Sequence, residues 1–460
     1  MVSGDVHEFT VDHAAPRTLA SAPCGTAARE AGDPAGPQLG AVASVSSESS
    51  LERRLGGVDA TTVGVGSMIG AGVFVVFTPA AAAAGPWLPL ALAIAGIVAY
   101  CNASATAQLA TLYPTSGGAY IYGRKRLGEW PGFLAGWSFV TGKIASCAAM
   151  ALTFGIYVFP DYATAAAVAA VVVLTTVNLL GITRTAWVTR WIVAFVAAVL
   201  VFVVVVAFDA DPIGGPATQS EVSAYGVLQA AGLFFFAFAG YARIATMGEE
   251  IREPKKLIPL AIFSALLITF VLYVLIGLGL LRYLGPELLA MTEAPLHAVM
   301  EEVGGGVGTT AIALAAALAS LGALLALIAG VGRTTFAMAR EGDLPRIFAR
   351  VGTRFKVPWA AEVVVAVVVI FLLLTQDVLA VVGFSSFGVL IYYSVANAAA
   401  LTLDERPWHA PKLLNVAGLV GCLLLAFTLP ITSVVLMVAV LAVGVIGRAV
   451  LARLRRRPEA

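Results

Sequence analysis

The sequence of 460 residues predicts an all-α, polytopic membrane protein. Hydrophobic residues make up 60% of the chain and charged residues only 12%, against about 25% charged in ordinary soluble domains. Apolar stretches of about 20 residues, each long enough to cross a hydrocarbon layer about 30 Å thick, recur from Val58 to Leu451. Two of these stretches carry glycine clusters near their centres. These observations exclude a soluble globular fold.

Apolar windows bounded by charges, glycine or proline predict twelve transmembrane helices. They are 58–84, 88–112, 130–158, 163–181, 187–208, 225–248, 258–281, 307–338, 359–376, 378–402, 412–428 and 431–452. Residues 1–50 are rich in Ala, Ser, Gly and Pro and lack the apolar core of a signal peptide, so we expect a disordered tail there. Residues 51–455 are expected to form the membrane domain.

The distribution of charge predicts the orientation. Almost all of the 28 Lys and Arg residues fall in the terminal segments or in the alternate loops that an even number of spans places on the same side. The opposite loops carry mainly Asp and Glu. We therefore expect a multi-pass protein of the cytoplasmic membrane with both termini in the cytoplasm.

Cysteine and histidine are sparse and scattered, with four residues of each type and no CxxC pair. This pattern predicts neither a disulfide framework nor a metal site, and we expect no cofactor. The membrane spans contain no set of a nucleophile with a base, so an enzyme is not predicted. No nucleic-acid partner is predicted either.

The first span contains four glycines, at positions 64, 66, 70 and 72. Glycine inside a helix costs about 1 kcal/mol relative to alanine, so four in one span favour local unwinding. The spacing of Gly66 and Gly70 is equally typical of close packing between helices. The first span alone leaves both interpretations open.

The sixth span favours unwinding, because it too has a central glycine, Gly240, after the aromatic run 234–238. The first and sixth spans take equivalent places in two halves of five helices. This correspondence predicts a five-plus-five inverted repeat with discontinuous helices 1 and 6 and a binding site at the membrane midplane. The repeats are predicted over about 58–208 and about 225–402.

The chemistry of two broken helices favours a zwitterion. Freed N–H groups at the start of a half-helix attract an anion, and freed carbonyls at the end of the other half attract an ammonium group. An α-amino acid carries both groups. It would be held by main-chain atoms, without a charged side chain of the protein.

Several motifs follow one another along the membrane domain. They are GVGSMIGAGVF (64–74), YPTSGGAY (113–120), GFLAGW (132–137), NLLG (178–181), FAGY (238–241) with EEIREP (249–254), and segment 333–345, which contains AMAREGDLP. In this order they resemble the amino acid, polyamine and organocation (APC) superfamily of secondary transporters. The resemblance implies the five-plus-five fold, with the helices at about 412–452 appended, and transport of amino acids or related amines.

The resemblance also implies a substrate site. The N–H groups of Ala71 and Gly72 would bind the carboxylate, the carbonyls of Met68, Phe236 and Ala239 would accept from the ammonium group, and Phe236 would close over the substrate as a gate. The predicted substrate-binding residues are Met68, Ile69, Gly70, Ala71, Gly72, Phe236, Ala239 and Gly240. Position 71 is often serine in the family, and alanine keeps only the main-chain contact.

Ionisable groups within the membrane are functional candidates because they are expensive to insert. Lys143, about halfway along the third span, is the candidate coupling group of a proton-driven carrier, since a buried lysine can exchange its proton near neutral pH. A permanent structural cation is the equal alternative. For Arg243, ion pairing with Glu249 and Glu250 is the favoured interpretation. Ser320 and Thr61 or Thr62 could supply oxygens to a sodium site, but isolated hydroxyls are common in membrane helices, so sodium coupling is less favoured than proton coupling.

The substrate class follows by exclusion. A cationic side chain would need a buried carboxylate, and the membrane candidates, Asp59 and Glu362, lie near span ends. The sequence therefore predicts a secondary active transporter that favours neutral amino acids and works by alternating access, as a proton symporter or an exchanger. A substrate sensor without net transport and a carrier of amines or acidic amino acids are the alternatives, and the oligomeric state is left open.

Overall fold

The computed structural model describes residues 55–114, 117–181, 186–215, 223–247, 250–352, 357–405 and 410–456. The tail predicted at 1–50 lies outside these residues. Within them every regular element is helical, apart from one isolated parallel bridge between Leu55 and Ile251. The α-helices are α1 (Gly57–Ile69), α2 (Gly72–Val75), α3 (Phe77–Ala84), α4 (Leu88–Leu112), α5 (Ala119–Leu127), α6 (Glu129–Val158), α7 (Ala163–Leu179), α8 (Ala186–Asp209), α9 (Ala224–Phe238), α10 (Ala242–Ala245), α11 (Pro254–Met291), α12 (Pro295–Glu302), α13 (Gly305–Arg340), α14 (Trp359–Thr375), α15 (Val378–Leu401), α16 (Lys412–Thr428) and α17 (Ile431–Arg456).

Ten helical runs among the described residues are long and apolar enough to cross a bilayer. The apolar helices α14 and α16, with 17 residues each, are shorter and lie at the lower limit for spanning. The all-helical membrane fold is therefore confirmed, whereas the count of twelve spans and the inverted repeat stay predictions. Most predicted bounds agree with the helices to within a few residues, and those of α4 and α16 coincide.

Three features differ from the predicted spans. The helices α5 and α12 lie between spans and were not predicted. The seventh span is longer than the predicted 258–281, because α11 runs to Met291 across a non-helical residue, Gly285, with φ 68°. Only glycine adopts that backbone conformation readily, and Pro286 restarts the helix after it.

Small residues allow α6 to pack closely on α15 in the core. A β-carbon added to Gly142 would lie 3.2 Å from the Cα of Gly388, and the hydroxyls of Ser146 and Ser385 are 2.6 Å apart. On another side, α6 packs against α13. Side chains this small let helix backbones approach, which is how helices associate where no water is present to drive them together.

A buried ionic cluster joins α5, α17 and the loop after α13. The carboxylate of Asp343, 2% exposed, accepts hydrogen bonds from the Tyr120 hydroxyl at 2.8 Å, Arg124 at 2.9 Å and Arg448 at 2.7 Å. Burial, together with this carboxylate, raises the pKa of Tyr120 well above its ordinary value. The tyrosine therefore remains a hydrogen-bond donor throughout the neutral pH range.

Candidate functional site

The first span is interrupted at its glycine cluster, as predicted. Helix α1 ends at Ile69 and α2 begins at Gly72, and between them Gly70 has φ 6° and ψ −128°, outside any helical conformation. After four residues α2 continues through Val76 into α3. The unwinding interpretation therefore holds for this span, and close packing by glycine holds as well.

The interruption of the sixth span is milder than predicted. Helix α9 ends at Phe238, a 3-10 turn covers Ala239–Tyr241, and α10 follows directly. The backbone keeps right-handed helical angles, with φ −66° at Ala239. The helix thus changes its hydrogen-bond pattern without opening a gap, because the 3-10 turn keeps a right-handed helical path between α9 and α10.

The two interruptions lie against each other through their glycines. A β-carbon added to Gly72 would lie 2.7 Å from the Cα of Ala237, and one added to Gly240 would lie 2.4 Å from the main-chain carbonyl of Ser67. Real β-carbons do not approach backbone atoms so closely. Glycine is therefore required at both positions for the two backbones to meet.

The site is closed in this conformation. Ala71 is fully buried, and Met68 and Ala239 are 1% and 2% exposed. At the contact of Gly72 with Ala237 the two interrupted helices pack directly on each other. Gly240 keeps partial exposure.

Tyrosine hydroxyls from surrounding helices donate to carbonyls of the interrupted helices. Tyr273 of α11 donates to the Met68 carbonyl at 2.7 Å, and its oxygen is 3.4 Å from the Ala237 carbonyl. Tyr157 of α6 donates to the Phe74 carbonyl at 2.9 Å. These tyrosines were not predicted as site residues, although a tyrosine within an apolar span is a signal, since its hydroxyl needs a partner when buried.

A third tyrosine supports the sixth span. The hydroxyl of Tyr393 in α15 lies 3.4 Å from the Ala239 carbonyl, and its ring stacks on that of Tyr241 at a centroid distance of 5.2 Å. Of the carbonyls predicted to face the ammonium group, those of Met68 and Ala239 thus already have a tyrosine partner. A carbonyl oxygen has two lone pairs, so each can accept one further hydrogen bond.

The N–H groups predicted to bind the substrate's carboxylate have a different environment from the carbonyls. The N–H groups of Ala71 and Gly72 have no acceptor in the turns and caps of the described residues, whereas the Ala71 carbonyl accepts from the Phe74 N–H at 3.1 Å. These groups stand at the start of α2, where the helix dipole is positive. The arrangement suits an anion, and binding of a carboxylate there stays a prediction.

The aromatic run of α9 separates into packing residues and one candidate gate. Phe234, Phe235 and Phe238 each pair with another ring, those of Phe77, Tyr393 and Tyr273 respectively. Phe236 is 7% exposed and pairs with no ring of the described residues. The run therefore serves mainly core packing, and Phe236 is the member left for a gate.

Apolar atoms of α6 and α13 face the first interruption. A β-carbon added to Gly70 would lie 3.3 Å from the Ala323 Cβ and 3.7 Å from the Met150 Cε. Neither side chain offers a charge or a strong hydrogen bond. This wall suits an apolar or small group.

Lys143 is buried in α6, at 8% exposure, and takes part in none of the ion pairs between described residues. It precedes Met150 by seven residues on nearly the same face of α6, which corresponds to about 10 Å along the helix. The structure therefore places Lys143 near the site's wall but away from the interruptions themselves. Its role in coupling stays a prediction.

Arg243 lies in α10, and a β-carbon added to Gly330 of α13 would lie 3.6 Å from its Nη1. The ion pairs of the described residues do not include Arg243 with Glu250, and Glu249 lies outside the described residues. Pairing of Arg243 with these acids therefore stays a prediction.

The sequence profile of the amino acid permeases matches residues 55–450, which covers every interrupted helix described above. The chain belongs to the amino acid permease family. The resemblance to the APC superfamily is thereby confirmed. The permease is a multi-pass membrane transporter.

Relatives of this permease carry transporter names. An uncharacterized transporter of Mycobacterium tuberculosis (strain ATCC 25618 / H37Rv) is 54% identical over 409 residues, which cover 88% of this chain and 93% of that protein. The branched-chain amino acid permease BcaP of Bacillus subtilis is 26% identical over 440 residues, covering 88% and 94%. Cationic amino acid transporter 6 of Arabidopsis thaliana is 27% identical over 429 residues, covering 85% and 73%.

Proposed function

We propose that this permease moves neutral amino acids across the cytoplasmic membrane by alternating access, as a proton symporter or an exchanger. The observation that carries the proposal is the contact between the two interruptions, where Gly72 meets Ala237 and Gly240 meets Ser67. Two helix ends of opposite polarity are thereby brought to one place. Both chain termini are proposed to face the cytoplasm, because the basic loops lie on their side.

The substrate's main-chain groups match the polar atoms at this place. Its carboxylate would bind the N–H groups of Ala71 and Gly72, and its ammonium group would donate to the carbonyls of Met68, Phe236 and Ala239. Exposed main-chain groups are tolerated at membrane depth only where a cavity or a ligand satisfies them. Phe236 would close over the ligand, and opening the closed site is the conformational step that transport requires.

The residues around the first interruption favour a substrate with a neutral side chain. Met150 and Ala323 are apolar, so they offer no partner to a charged group. The carboxylate of Asp59 is already paired with Arg190. Glu362, in the first turn of α14, packs against Gly332 of α13.

The names of the relatives include both a branched-chain and a cationic amino acid transporter, so they leave the side-chain charge open. The apolar wall formed by Met150 and Ala323 favours neutral substrates here. Acidic amino acids are the second candidate, because Lys143 and Arg243 are cations within the membrane domain.

Lys143 is the proposed coupling group. A lone ammonium in the low-dielectric interior is costly, so the side chain gains by releasing its proton in one conformation and binding it in another. Sodium coupling is the less favoured alternative, because isolated hydroxyls such as those of Ser320 and Thr62 are common in membrane helices and do not by themselves form a cation site.

The proposed function is tested by uptake of labelled amino acids into proteoliposomes, with and without an inward proton gradient. Accumulation of neutral amino acids, stimulated by the gradient or by amino acid loaded inside, is expected. Binding without uptake would identify a sensor instead, and preferential uptake of arginine or glutamate would overturn the proposed substrate class.

A further inference from the structure

The hydroxyl of Tyr273 connects the two interrupted helices. It donates to the Met68 carbonyl of α1 at 2.7 Å and lies 3.4 Å from the Ala237 carbonyl of α9. Tyr273 is completely buried, in the middle of α11. One side chain thus reaches the main chain of both interruptions from a third helix.

The helical hydrogen-bond pattern changes at both carbonyls. Met68 is the last but one residue of α1, and the final carbonyls of a helix have no N–H of their own helix to accept from. Ala237 precedes the 3-10 turn, where hydrogen bonds shorten by one residue. A buried carbonyl without a hydrogen-bond partner is unfavourable, so the Tyr273 hydroxyl serves as a donor where the helical pattern is interrupted.

The position of the hydroxyl is fixed by aromatic packing. The Tyr273 ring lies 5.4 Å from that of Phe238 and 6.4 Å, edge-on, from that of Phe77. These neighbours belong to the sixth and first spans. The ring is therefore held between the two spans whose carbonyls its hydroxyl contacts.

We infer that Tyr273 is a positioning residue for the substrate's ammonium group, an inference that rests on the proposed function. Its hydrogen bond orients the Met68 carbonyl and occupies one lone pair, which leaves the other for the ammonium. The residue does not itself contact the substrate. It serves ligands that carry an amine and is indifferent to ligands that lack one.

Two ligands of the same shape separate this role from a structural one. L-leucine carries the ammonium group, and 4-methylpentanoate is leucine without its amine. For Tyr273→Phe in proteoliposomes we expect the KM for labelled leucine to rise about tenfold, as for one lost hydrogen bond. The inhibition constant of 4-methylpentanoate and the maximal rate are expected to stay within about twofold.

Restoring a donor tests the assignment in a second way. Genetic incorporation of p-aminophenylalanine in place of Tyr273 keeps the ring and an N–H donor in the same position, so the leucine KM should return towards the wild-type value. Tyr283→Phe is the matched control. That tyrosine lies ten residues further along α11, is 1% exposed, and its hydroxyl belongs to none of the tyrosine-to-carbonyl bonds described above.

Each outcome decides the assignment. A leucine KM unchanged in Tyr273→Phe, an equal shift for both ligands, or a Tyr273→Phe protein that does not fold while the p-aminophenylalanine protein also fails to bind leucine overturns it. A wild type that binds neither ligand overturns the proposed function, and the assignment with it. A wild type that transports leucine with Tyr273→Phe unaffected overturns the assignment alone.

Discussion

Gly72 of α2 lies against the backbone of Ala237 in α9, so closely that a β-carbon on Gly72 would come within 2.7 Å of the Ala237 Cα. The contact joins residues from opposite halves of the membrane domain. It places the start of one half-helix beside the end of another, and the proposed site depends on it.

Replacing Gly72 with valine should therefore lower substrate affinity at least about tenfold, because the added side chain overlaps the Ala237 backbone and forces the two helices apart. Equilibrium binding or the KM of uptake measures the effect. Gly447→Val is the control, since a β-carbon at Gly447 in α17 meets no atom within 4 Å. Wild-type affinity in Gly72→Val would contradict the site.

Lys143→Ala should abolish the stimulation of uptake by an inward proton gradient while substrate binding remains measurable. The reason is that Lys143 is the only Lys or Arg residue of α6. Lys256→Ala, at a lysine whose side chain is 82% exposed, is the control and should leave the stimulation intact. If Lys143→Ala responds to the gradient as the wild type does, the coupling role is wrong.

The two neighbouring phenylalanines Phe236 and Phe234 should respond differently to truncation. Phe236→Ala is expected to impair transport, as removal of a gate would, and to lower the thermal unfolding temperature less than Phe234→Ala does, because the Phe236 ring pairs with no ring of the described residues. Phe234→Ala should destabilise the protein by about 3–5 kcal/mol, because its fully buried ring packs on Phe77. Equal destabilisation by both changes would show that Phe236 is a core-packing residue and not a gate.

Asp59 and Arg190 form an ion pair that ties α1 to α8. The pair is partly exposed, so neutralising either residue should change uptake by no more than about fivefold, corresponding to at most about 1 kcal/mol. The double neutral variant should be no worse than either single one, and exchanging the two charges should restore activity. Additive losses would show that the two residues act separately. The exposed ion pair between Glu253 and Lys256, at the N-terminus of α11, is the control.

Asp343→Asn should strongly destabilise the permease, by about 3–5 kcal/mol, because it leaves the guanidinium groups of Arg124 and Arg448 without their buried carboxylate. Thermal unfolding in detergent measures the effect. Asp377→Asn, which retains a side-chain cap for α15, is the control. A melting temperature equal to that of the wild type would contradict the structural role of the cluster.

Features with a local cause could be predicted from the sequence. The bounds of α4 and α16 follow from apolar length between breakers, and the interruption at Gly70 follows from the density of glycine around it. Phe236, by contrast, was singled out by the resemblance to the APC superfamily, because the local pattern does not distinguish it from its three neighbouring phenylalanines.

Features that depend on distant contacts could not be predicted. The bond from Tyr273 to Met68 joins residues 205 positions apart, and the one from Tyr120 to Asp343 joins residues 223 apart. Nothing in the local sequence indicates which carbonyl a buried hydroxyl will meet. The mild 3-10 form of the second interruption has the same origin, since the packing of Gly240 on Ser67 limits how far the helix can open.

A structure of the permease with a neutral amino acid bound tests the central claim most directly. The account predicts the ligand carboxylate within hydrogen-bond distance of the Ala71 and Gly72 N–H groups, and its ammonium group on the carbonyls of the first and sixth spans. A ligand bound elsewhere in the bundle, with Gly72 still packed on Ala237, would contradict it.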